Sequence, residues 1–262
     1  MASMILSIDI GIRHLAHCLL KVNDNQEPVV VEWGVVDLTG HKPKQCSVCS
    51  KKATYETSTQ AFCGVHIKKM KIQVLPKNAT TAQLQELCRS INIAFSPQTS
   101  RAALLCKLEH CTATECVKPA AAKLDVVALG TGLMREYAVF DKHNITTVVV
   151  ENQIGPLANR MKSLQGMVVQ YWIMKGVRDI HCVSSANKLK LFHTGKTTYK
   201  ERKRMSIEHA RRCMLDEAFK GVFEAHSKKD DLADTFLQGL WYLNSLNLLN
   251  ADYLKLIVLT KQ

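Results

Sequence analysis

The first forty residues consist of short apolar runs separated by brief polar or glycine-containing breaks. The apolar runs extend from Met4 to Gly11, from Leu15 to Val22 and from Val29 to Leu38. Each run has the length and the β-branched content of a strand. Because the breaks are only a few residues long, neighbouring strands are expected to run antiparallel. The pattern therefore predicts a three-stranded meander at the start of the chain.

The second half of the chain alternates between helical and strand patterns. Apolar residues recur at helical spacing over 121–140, and this pattern gives way to a β-branched run. The elements predicted after it are a strand at Thr146–Glu151, a helix at Leu157–Lys175, a strand at Ile180–Val183, a helix near Lys203–Phe219 and a last helix from Lys229 to about Leu246. Such alternation implies parallel strands covered by helices. The expected fold class is α/β, with a mixed five-stranded sheet flanked by helices.

The stretch from Gly40 to Pro119 interrupts this pattern and is rich in Lys, Ser, Thr and Cys. We interpret it as an insertion after strand three. Residues 1–40 and 120–262 then form one domain, 41–72 a first inserted segment and 73–119 a second. A chain of 262 residues can bury a sizeable core with such an insertion.

The second inserted segment contains two predicted short helices. Thr80 and Gln83 have the spacing of a capping box, and apolar residues follow at helical spacing: Leu84, Leu87, Cys88 and Ile91. Another helix is expected after Ser100, burying Leu104, Leu105 and Leu108. The pair resembles the SAP module, a small DNA-binding helical hairpin, and an ordinary helical hairpin is the equal alternative.

The first inserted segment has the ligand spacing of a metal site. Cys46 and Cys49 form one close pair, and Cys63 and His66 form a second pair thirteen residues further on. Two pairs of thiol and imidazole ligands at this spacing are typical of tetrahedral zinc. With four protein ligands such a zinc ion would be structural. Four free groups in a lysine-rich loop are the alternative, and the remaining seven cysteines show no comparable pairing.

The chain is strongly basic, with a formal net charge of +12. Residues 188–229 hold twelve Lys or Arg and five Asp or Glu, which indicates a polyanionic partner such as DNA. Phe192 and Tyr199 lie among these cations and are candidate stacking rings. The predicted DNA-contacting residues are Arg160, Lys162, Lys188, Lys190, Lys196, Lys200, Arg202, Lys203, Arg204, Lys228 and Lys229.

Three groups of carboxylates fall on predicted elements. Asp9 lies within the first apolar strand, Glu151 ends the fourth, and a cluster near the start of the last helix contains Asp230, Asp231 and Asp234. A carboxylate in an apolar strand needs compensation. Two ions of Mg²⁺, bound by oxygen ligands from several elements, would supply it and could activate water against a phosphodiester. A cap or a salt bridge is the alternative for any single one.

The three carboxylate motifs resemble those of a known family. Ser-Ile-Asp9-Ile-Gly-Ile-Arg, Val-Val-Val-Glu151-Asn-Gln and Lys228-Lys-Asp-Asp-Leu-Ala-Asp234 are similar to the motifs of RuvC-type Holliday-junction resolvases, above all the fungal mitochondrial and poxvirus-type branches. The resemblance implies an RNase H-like fold and a homodimer. It also implies paired symmetric nicks in four-way DNA junctions, with two Mg²⁺ or Mn²⁺ per site. Asp9 and Glu151 would be metal ligands, with two of Asp230, Asp231 and Asp234.

Two other functions are consistent with parts of the sequence. An actin-hexokinase-type phosphotransferase could use Asp9 and the glycine that follows it, although a second Asp-x-Gly strand is not found. A non-catalytic DNA-binding protein could use the same fold. No run of 18–20 apolar residues and no signal-peptide pattern is found, so we expect an intracellular protein without a membrane span. The cytoplasm of a virus-infected cell, the nucleus and the mitochondrion are equally consistent with the sequence.

The predicted helix Leu157–Lys175 is a candidate dimer contact. Its apolar residues recur at helical spacing, as a stripe that could face either a second subunit or the chain's own core: Leu164, Met167, Val168, Tyr171 and Trp172.

Overall fold

The computed structural model of the chain describes residues 4–117, 121, 124–154, 159–193, 195 and 197–258. The contacts within it divide the chain into two compact units. Residues 1–40 and 120–262 form the first, called the nuclease unit below after the activity that its carboxylate motifs lead us to expect, and residues 41–119 form the second, called the inserted unit.

The described residues form short strands in both units and long helices in the nuclease unit. The strands are β1 (Met4–Asp9), β2 (Leu15–Val22), β3 (Pro28–Val36), β4 (Tyr55–Glu56), β5 (Ala61–Phe62), β6 (Thr114–Glu115), β7 (Thr147–Glu151) and β8 (Asp179–Val183). The helices are α1 (Gly64–Lys69), α2 (Thr81–Ser90), α3 (Arg101–Leu108), α4 (Val126–Tyr137), α5 (Asn159–Met174), α6 (Tyr199–Cys213), α7 (Glu217–Ala225), α8 (Lys229–Ser245) and α9 (Ala251–Val258).

The nuclease unit is built on a five-stranded sheet with the order β3-β2-β1-β7-β8. β2 pairs antiparallel with both β1 and β3, whereas β7 pairs parallel with β1 and β8. This is the mixed sheet predicted from the sequence, and it confirms the expected RNase H-like fold class. Because β1 and β7 are central and parallel, their carboxyl ends lie side by side.

Each face of this sheet buries its own hydrophobic core. Alternate residues of the central strands point to opposite faces, so Ile5 and Val149 pack with α8 while Leu6 and Val148 pack with α4 and α5. α8 lies close to the sheet at Gly239, where an added Cβ would come within 2.5 Å of Leu20 Cδ1. The glycine therefore sets how near the helix approaches β1 and β2.

Helix α5 corrects the predicted dimer contact. Leu164, Val168 and Trp172 are buried in the core beneath the sheet, and Met167 and Tyr171 pack against that core. The apolar stripe of this helix thus faces its own chain. The predicted start of the helix at Leu157 lies outside the described residues.

The C-terminal helices also differ from the prediction. The helix expected near Lys203–Phe219 is two helices, α6 and α7, because the backbone is extended at Met214 and Asp216 begins a new helix by accepting from the N–H groups of Ala218 and Phe219. Helix α9 was not predicted. Its buried residues, Tyr253 and Ile257, belong to the α8 side of the core.

The inserted unit has two small cores. One lies beside the three-stranded sheet β5-β4-β6 and includes Phe62, Ile67 and Ala113. The other lies between α2 and α3, and the capping box of Thr80 and Gln83 predicted from the sequence is confirmed. The short strands and α1 were not predicted, because strands of two residues carry no hydrophobic periodicity.

Candidate active site and metal centre

Three of the predicted carboxylates meet at one edge of the nuclease sheet. Asp9 is the last residue of β1, and Glu151 is the last residue of the neighbouring parallel strand β7. Asp234 lies on α8, which packs over these strands. The register that pairs Ile8 with Val150 places Asp9 next to Glu151, and the Asp9 carboxyl hydrogen-bonds to Glu151.

The ammonium group of Lys188 lies among these carboxylates. Its Nζ is 3.4 Å from Asp9 Oδ1, 3.5 Å from Glu151 Oε2 and 3.2 Å from Asp234 Oδ2. The Lys188 side chain is only 7% exposed. A 3₁₀ turn at Ser185–Leu189, which follows β8, positions it. One buried cation therefore faces three carboxylates, which would carry an excess of two negative charges if all three were ionised.

This imbalance affects the protonation of the cluster. Burial raises the pKa of Asp9 to about 7, against the opposing effect of Lys188. Burial likewise raises the pKa of Asp234, again partly offset by Lys188. Burial lowers the pKa of Lys188, but the three carboxylates raise it by more, so the lysine remains charged. The site is thus short of positive charge.

Buried polar contacts fix α8 against the strands that carry Asp9 and Glu151. The Gln238 amide nitrogen donates to Ser7 Oγ at 3.1 Å, to the Ile8 carbonyl at 3.1 Å and to the Val149 carbonyl at 3.2 Å. Gln238 lies one turn after Asp234, on the same face of the helix. The sequence analysis missed this residue. A glutamine within an apolar helical stripe is the signal that could have identified it.

The other two carboxylates of α8 have different environments. Asp230 pairs with Lys203 of α6, and this pair lowers the pKa of Asp230 although burial alone would raise it. Asp231 Oδ2 is buried without a hydrogen-bond partner among the described residues. Burial raises the pKa of Asp231, and the charges of Asp230 and Asp9 raise it further. Lys228 and His14 offset this effect only in part, so the pKa of Asp231 stays raised.

A second glutamine holds the segment that follows Glu151. The Gln165 Oε1 atom accepts from the Gln153 N–H at 2.8 Å, and its amide nitrogen donates to Asn152 Oδ1 at 3.3 Å. The Asn152 N–H donates in turn to the Val183 carbonyl at 2.7 Å. These contacts fix the backbone where the catalytic candidate Glu151 ends its strand.

The predicted DNA-contacting residues fall into three groups. The first is exposed and consists of Lys162, Lys190, Lys200, Arg202 and Arg204. The second is partly buried: Lys203 pairs with Asp230, the Arg160 guanidinium donates to the Leu124 carbonyl, and Lys228 and Lys229 lie at the start of α8. Lys188 is the third case, because it is buried among carboxylates instead of facing solvent. Lys196 lies outside the described residues.

The two candidate stacking rings also lie in different environments. Phe192 is buried in the core and stacks on His209 with ring centroids 4.4 Å apart, so it cannot stack on a base as predicted. Tyr199 is 66% exposed at the start of α6. It keeps the position expected of a stacking ring.

The Cys/His group in the inserted unit has metal-site geometry. The ligand atoms of Cys46, Cys49, Cys63 and His66 all lie within 4.8 Å of one another. Cys49 Sγ is 3.9 Å from Cys63 Sγ, and His66 Nδ1 is 3.4 Å from Cys63 Sγ and 3.5 Å from Cys46 Sγ. Ligands at zinc distances of about 2.0–2.3 Å in a tetrahedron stand about 3.5–3.8 Å apart. The four residues fit a tetrahedral metal ion.

The thiol of Cys46 is prepared for metal binding. Burial raises its pKa, but hydrogen bonds from the backbone around Cys63, Val48 and Cys49 outweigh this effect and lower the pKa to about 6. The thiolate is the form that binds a metal. The loop thus favours the binding form of this ligand.

The fold and the carboxylate site define the class, an RNase H-like protein with acidic groups at the ends of β1 and β7 and on α8. Residues 133–247 match the family model described as Poxvirus A22 protein. This segment includes Glu151, Lys188 and the three aspartates of α8. Over these residues the match confirms the resemblance to resolvases that the sequence motifs carry.

Similarity to known proteins extends over most of the chain. An uncharacterized protein of Acanthamoeba polyphaga mimivirus, L451, is 24% identical over an alignment of 310 positions. The alignment covers 91% of this chain and 74% of that protein. Among solved structures, the yeast mitochondrial Holliday junction resolvase Ydc2 has a TM-score of 0.43 and 14% identity, covering 97% of this chain and 82% of that one. The fowlpox virus resolvase, in complex with Holliday junction DNA, has a TM-score of 0.44 and 14% identity, covering 93% and 98%.

None of the helices in the described part of the chain combines the length and apolar character needed to cross a membrane.

The Lys188 contacts predict a pH-dependent loss of stability when this lysine is neutralised. In protein without divalent ions at the carboxylates, Lys188→Met should lower the free energy of unfolding by about 3–5 kcal/mol at about pH 8, since it leaves three partly buried carboxylates uncompensated. The folded-state pKa values of Asp9 and Asp234 are raised above their unfolded values, so the folded protein takes up protons first as the pH falls. The loss of unfolding free energy in this variant should therefore become smaller as the pH falls from about 8 to about 5.5.

Denaturant titrations at the two pH values measure this effect. Lys190→Met is the matched control, because Lys190 is exposed. Among the described contacts, its side chain has only the Trp241 ring as a partner, with 6.0 Å between Nζ and the ring centroid. This substitution should lower the free energy of unfolding by less than about 1 kcal/mol at both pH values. An equal loss in both variants would contradict the assigned role of Lys188.

Proposed function

We propose that this protein is a Holliday-junction resolvase, a metal-dependent endonuclease that makes paired symmetric nicks in four-way DNA junctions. The observation that carries the proposal is the convergence of Asp9, Glu151 and Asp234, from three elements, on a single buried cation. A structural ion pair would need one carboxylate for one lysine. Three partly buried carboxylates around one ammonium group are instead suited to divalent ions.

The donor set fits Mg²⁺ or Mn²⁺, with two ions per site. Asp9, Glu151 and Asp234 present hard oxygen ligands, and the unpartnered Oδ2 of Asp231 adds another. Asp231 and Asp234 are three residues apart on α8 and so share a face. We assign these two as the aspartates of α8 that hold metal, and we assign Asp230 to the ion pair with Lys203. The ions would activate water and stabilise the leaving oxygen of the phosphodiester.

The chain's own residues prepare the site for this chemistry. In the absence of a divalent ion, Lys188 holds the carboxylates together at 3.2–3.5 Å, a looser spacing than the ~2.0–2.1 Å between Mg²⁺ and its ligands. The same ammonium can pair with a phosphate oxygen once divalent charge occupies the carboxylates. Gln238 and Gln165 keep α8 and the end of β7 in register while this exchange of partners takes place.

The exposed cations lie on elements that border the carboxylate site. Lys200, Arg202 and Arg204 are exposed on α6, the helix that also supplies Lys203 to Asp230. Lys190 follows the turn that carries Lys188. These cations are suited to the phosphates on either side of the scissile bond. Exposed Tyr199 adds a ring at the start of the same helix.

A four-way junction offers two equivalent strands, so a homodimer would place one site at each. The outward residues of α4 and α5 replace the buried stripe of α5 as the candidate contact. α4 and α5 run in the same direction, with Arg160 bonded to the Leu124 carbonyl near their starts and Tyr137 against Tyr171 near their ends. Their exposed apolar residues are Val126, Val127, Met134, Ile173 and Met174.

Strand-labelled junctions, together with a molar-mass measurement, test the function. The protein should be a dimer that makes paired nicks in a four-way junction in Mg²⁺ and leaves linear duplex of the same sequence largely uncut. Asp9→Asn and Glu151→Gln should each abolish cleavage while junction binding persists, since charge is lost but shape is kept. A monomer that cuts linear duplex equally well would rule out the resolvase and leave a nuclease. Binding without cleavage by the unchanged protein would favour the non-catalytic alternative.

The neighbouring aspartates of α8 provide a matched comparison within the site. Asp231→Asn should lower the cleavage rate at saturating junction by about a hundredfold or more, because it removes a metal ligand. Asp230→Asn breaks only the pair with Lys203, so the rate should fall by less than about tenfold. Rates at several Mg²⁺ concentrations measure both. The reverse order would assign the ligand role to Asp230.

We also propose that Cys46, Cys49, Cys63 and His66 bind one structural zinc ion. The site supplies four protein ligands and leaves no position for a reacting water. Metal analysis of protein purified without chelators should give about one zinc per chain. Cys46→Ser should lose that zinc and loosen the inserted unit, as measured by proteolysis, while the nuclease unit stays folded. Zinc-free protein with an intact inserted unit would exclude the site.

A further inference from the structure

The segment that carries the Cys/His group holds half of the chain's net positive charge. Residues 41–72 contain seven lysines and one carboxylate side chain, a net charge of +6 out of +12 for all 262 residues. That carboxylate, Glu56, pairs with Lys44. The other lysines have no carboxylate partner within the segment: Lys42, Lys51, Lys52, Lys68, Lys69 and Lys71.

Four of these residues flank the metal ligands, and they are called the lysine cluster here: Lys51, Lys52, Lys68 and Lys69. The first two follow Cys49 in sequence, and the Lys51 N–H donates to the Cys49 thiol. The other two follow His66 and end α1. Because the four ligand atoms lie within 4.8 Å of one another, both lysine pairs follow, in sequence, residues of the same site. All four side chains are exposed.

Helix electrostatics account for only part of this charge. Basic residues in the last turn stabilise a helix, which covers Lys68 and Lys69 but not the pair after Cys49. Lys71 adopts a left-handed backbone with a φ of 53°, at the position after α1 where glycine is usual. Lys71 therefore adopts a backbone conformation that would cost less free energy for glycine.

The rest of the inserted unit shows a different pattern. Residues 73–119 carry five Lys or Arg and three carboxylates, a net charge of only +2. Arg89 pairs with Glu86, and the Arg101 guanidinium donates to the Ala79 carbonyl. Both arginines of this segment therefore have local partners, and most of the inserted unit's excess charge lies in residues 41–72.

We propose that the lysine cluster binds the phosphate backbone of a duplex DNA arm, as a DNA contact separate from the carboxylate site. The proposal rests on the proposed function for the identity of its substrate. A zinc ion bound by three thiolates and a neutral imidazole has a net charge of −1, so the loaded segment retains about +5. Phosphates of a duplex are regularly spaced anions that exposed lysines bind without reading sequence.

Salt-dependent binding by the full-length chain tests the proposal. A fluorescent four-way junction is titrated at a series of salt concentrations, with Glu151→Gln present to prevent cleavage and with no chelator. Lys68→Gln with Lys69→Gln should weaken binding and reduce the slope of log K against log salt by about 0.9 for each lost phosphate contact. Lys77→Gln with Lys107→Gln removes the same charge from exposed positions of the helical hairpin and should leave the slope unchanged.

Two results would overturn the proposal. One is an unchanged slope in the first variant with zinc content and melting temperature preserved, and the other is an equal change in both variants. Lys51→Gln with Lys52→Gln gives an independent second measurement if the first pair disturbs the metal site. In the cleavage-competent chain, loss of the cluster should raise KM and leave kcat at saturating junction unchanged. Failure of the proposed function would appear instead as no junction cleavage by the unsubstituted protein, whatever the binding slopes.

Discussion

The nuclease unit depends on how it accommodates several carboxylates in a largely buried position. Asp9 and Glu151 end adjacent parallel strands, so they lie together whenever the sheet forms. Asp234 joins them because Gln238 and Gly239 fix α8 against the same strands. The single ammonium of Lys188 reduces the repulsion but does not cancel it. This arrangement costs stability that an apolar site would not, and the cost is understandable if divalent ions occupy the site during the reaction.

The aspartates of α8 show how packing can give neighbouring identical groups different roles. Asp230 points toward α6 and pairs with Lys203, which favours its charged form. Asp231 points toward the strands, where it has no partner and where the charges of Asp230 and Asp9 oppose its own. Adjacent helical positions differ by about 100° in direction, so one residue step separates the ion pair of Asp230 from the metal ligand that we propose at Asp231.

The inserted unit poses the opposite electrostatic problem, an excess of positive charge on a small core. Its sheet has strands of only two residues each and cannot stabilise the segment alone. A metal held by Cys46, Cys49, Cys63 and His66 would supply the missing stability through coordination instead of burial. A small core held in this way leaves most side chains exposed, so the surface can carry the lysine cluster that we propose as a DNA contact.

The sheet, the three carboxylate groups and the Cys/His pairs could be predicted from the sequence, because each depends on local periodicity or short spacing. The sequence did not determine that α5 buries its apolar stripe, that Phe192 is a core residue or that Lys188 faces carboxylates. An apolar stripe has the same pattern whether it faces its own core or a partner, and a lysine has the same identity whether solvent or Asp9 surrounds it. Only the packing of α5, α6 and α8 on the sheet decided these cases, because burial and charge pairing arise from residues far apart in the chain.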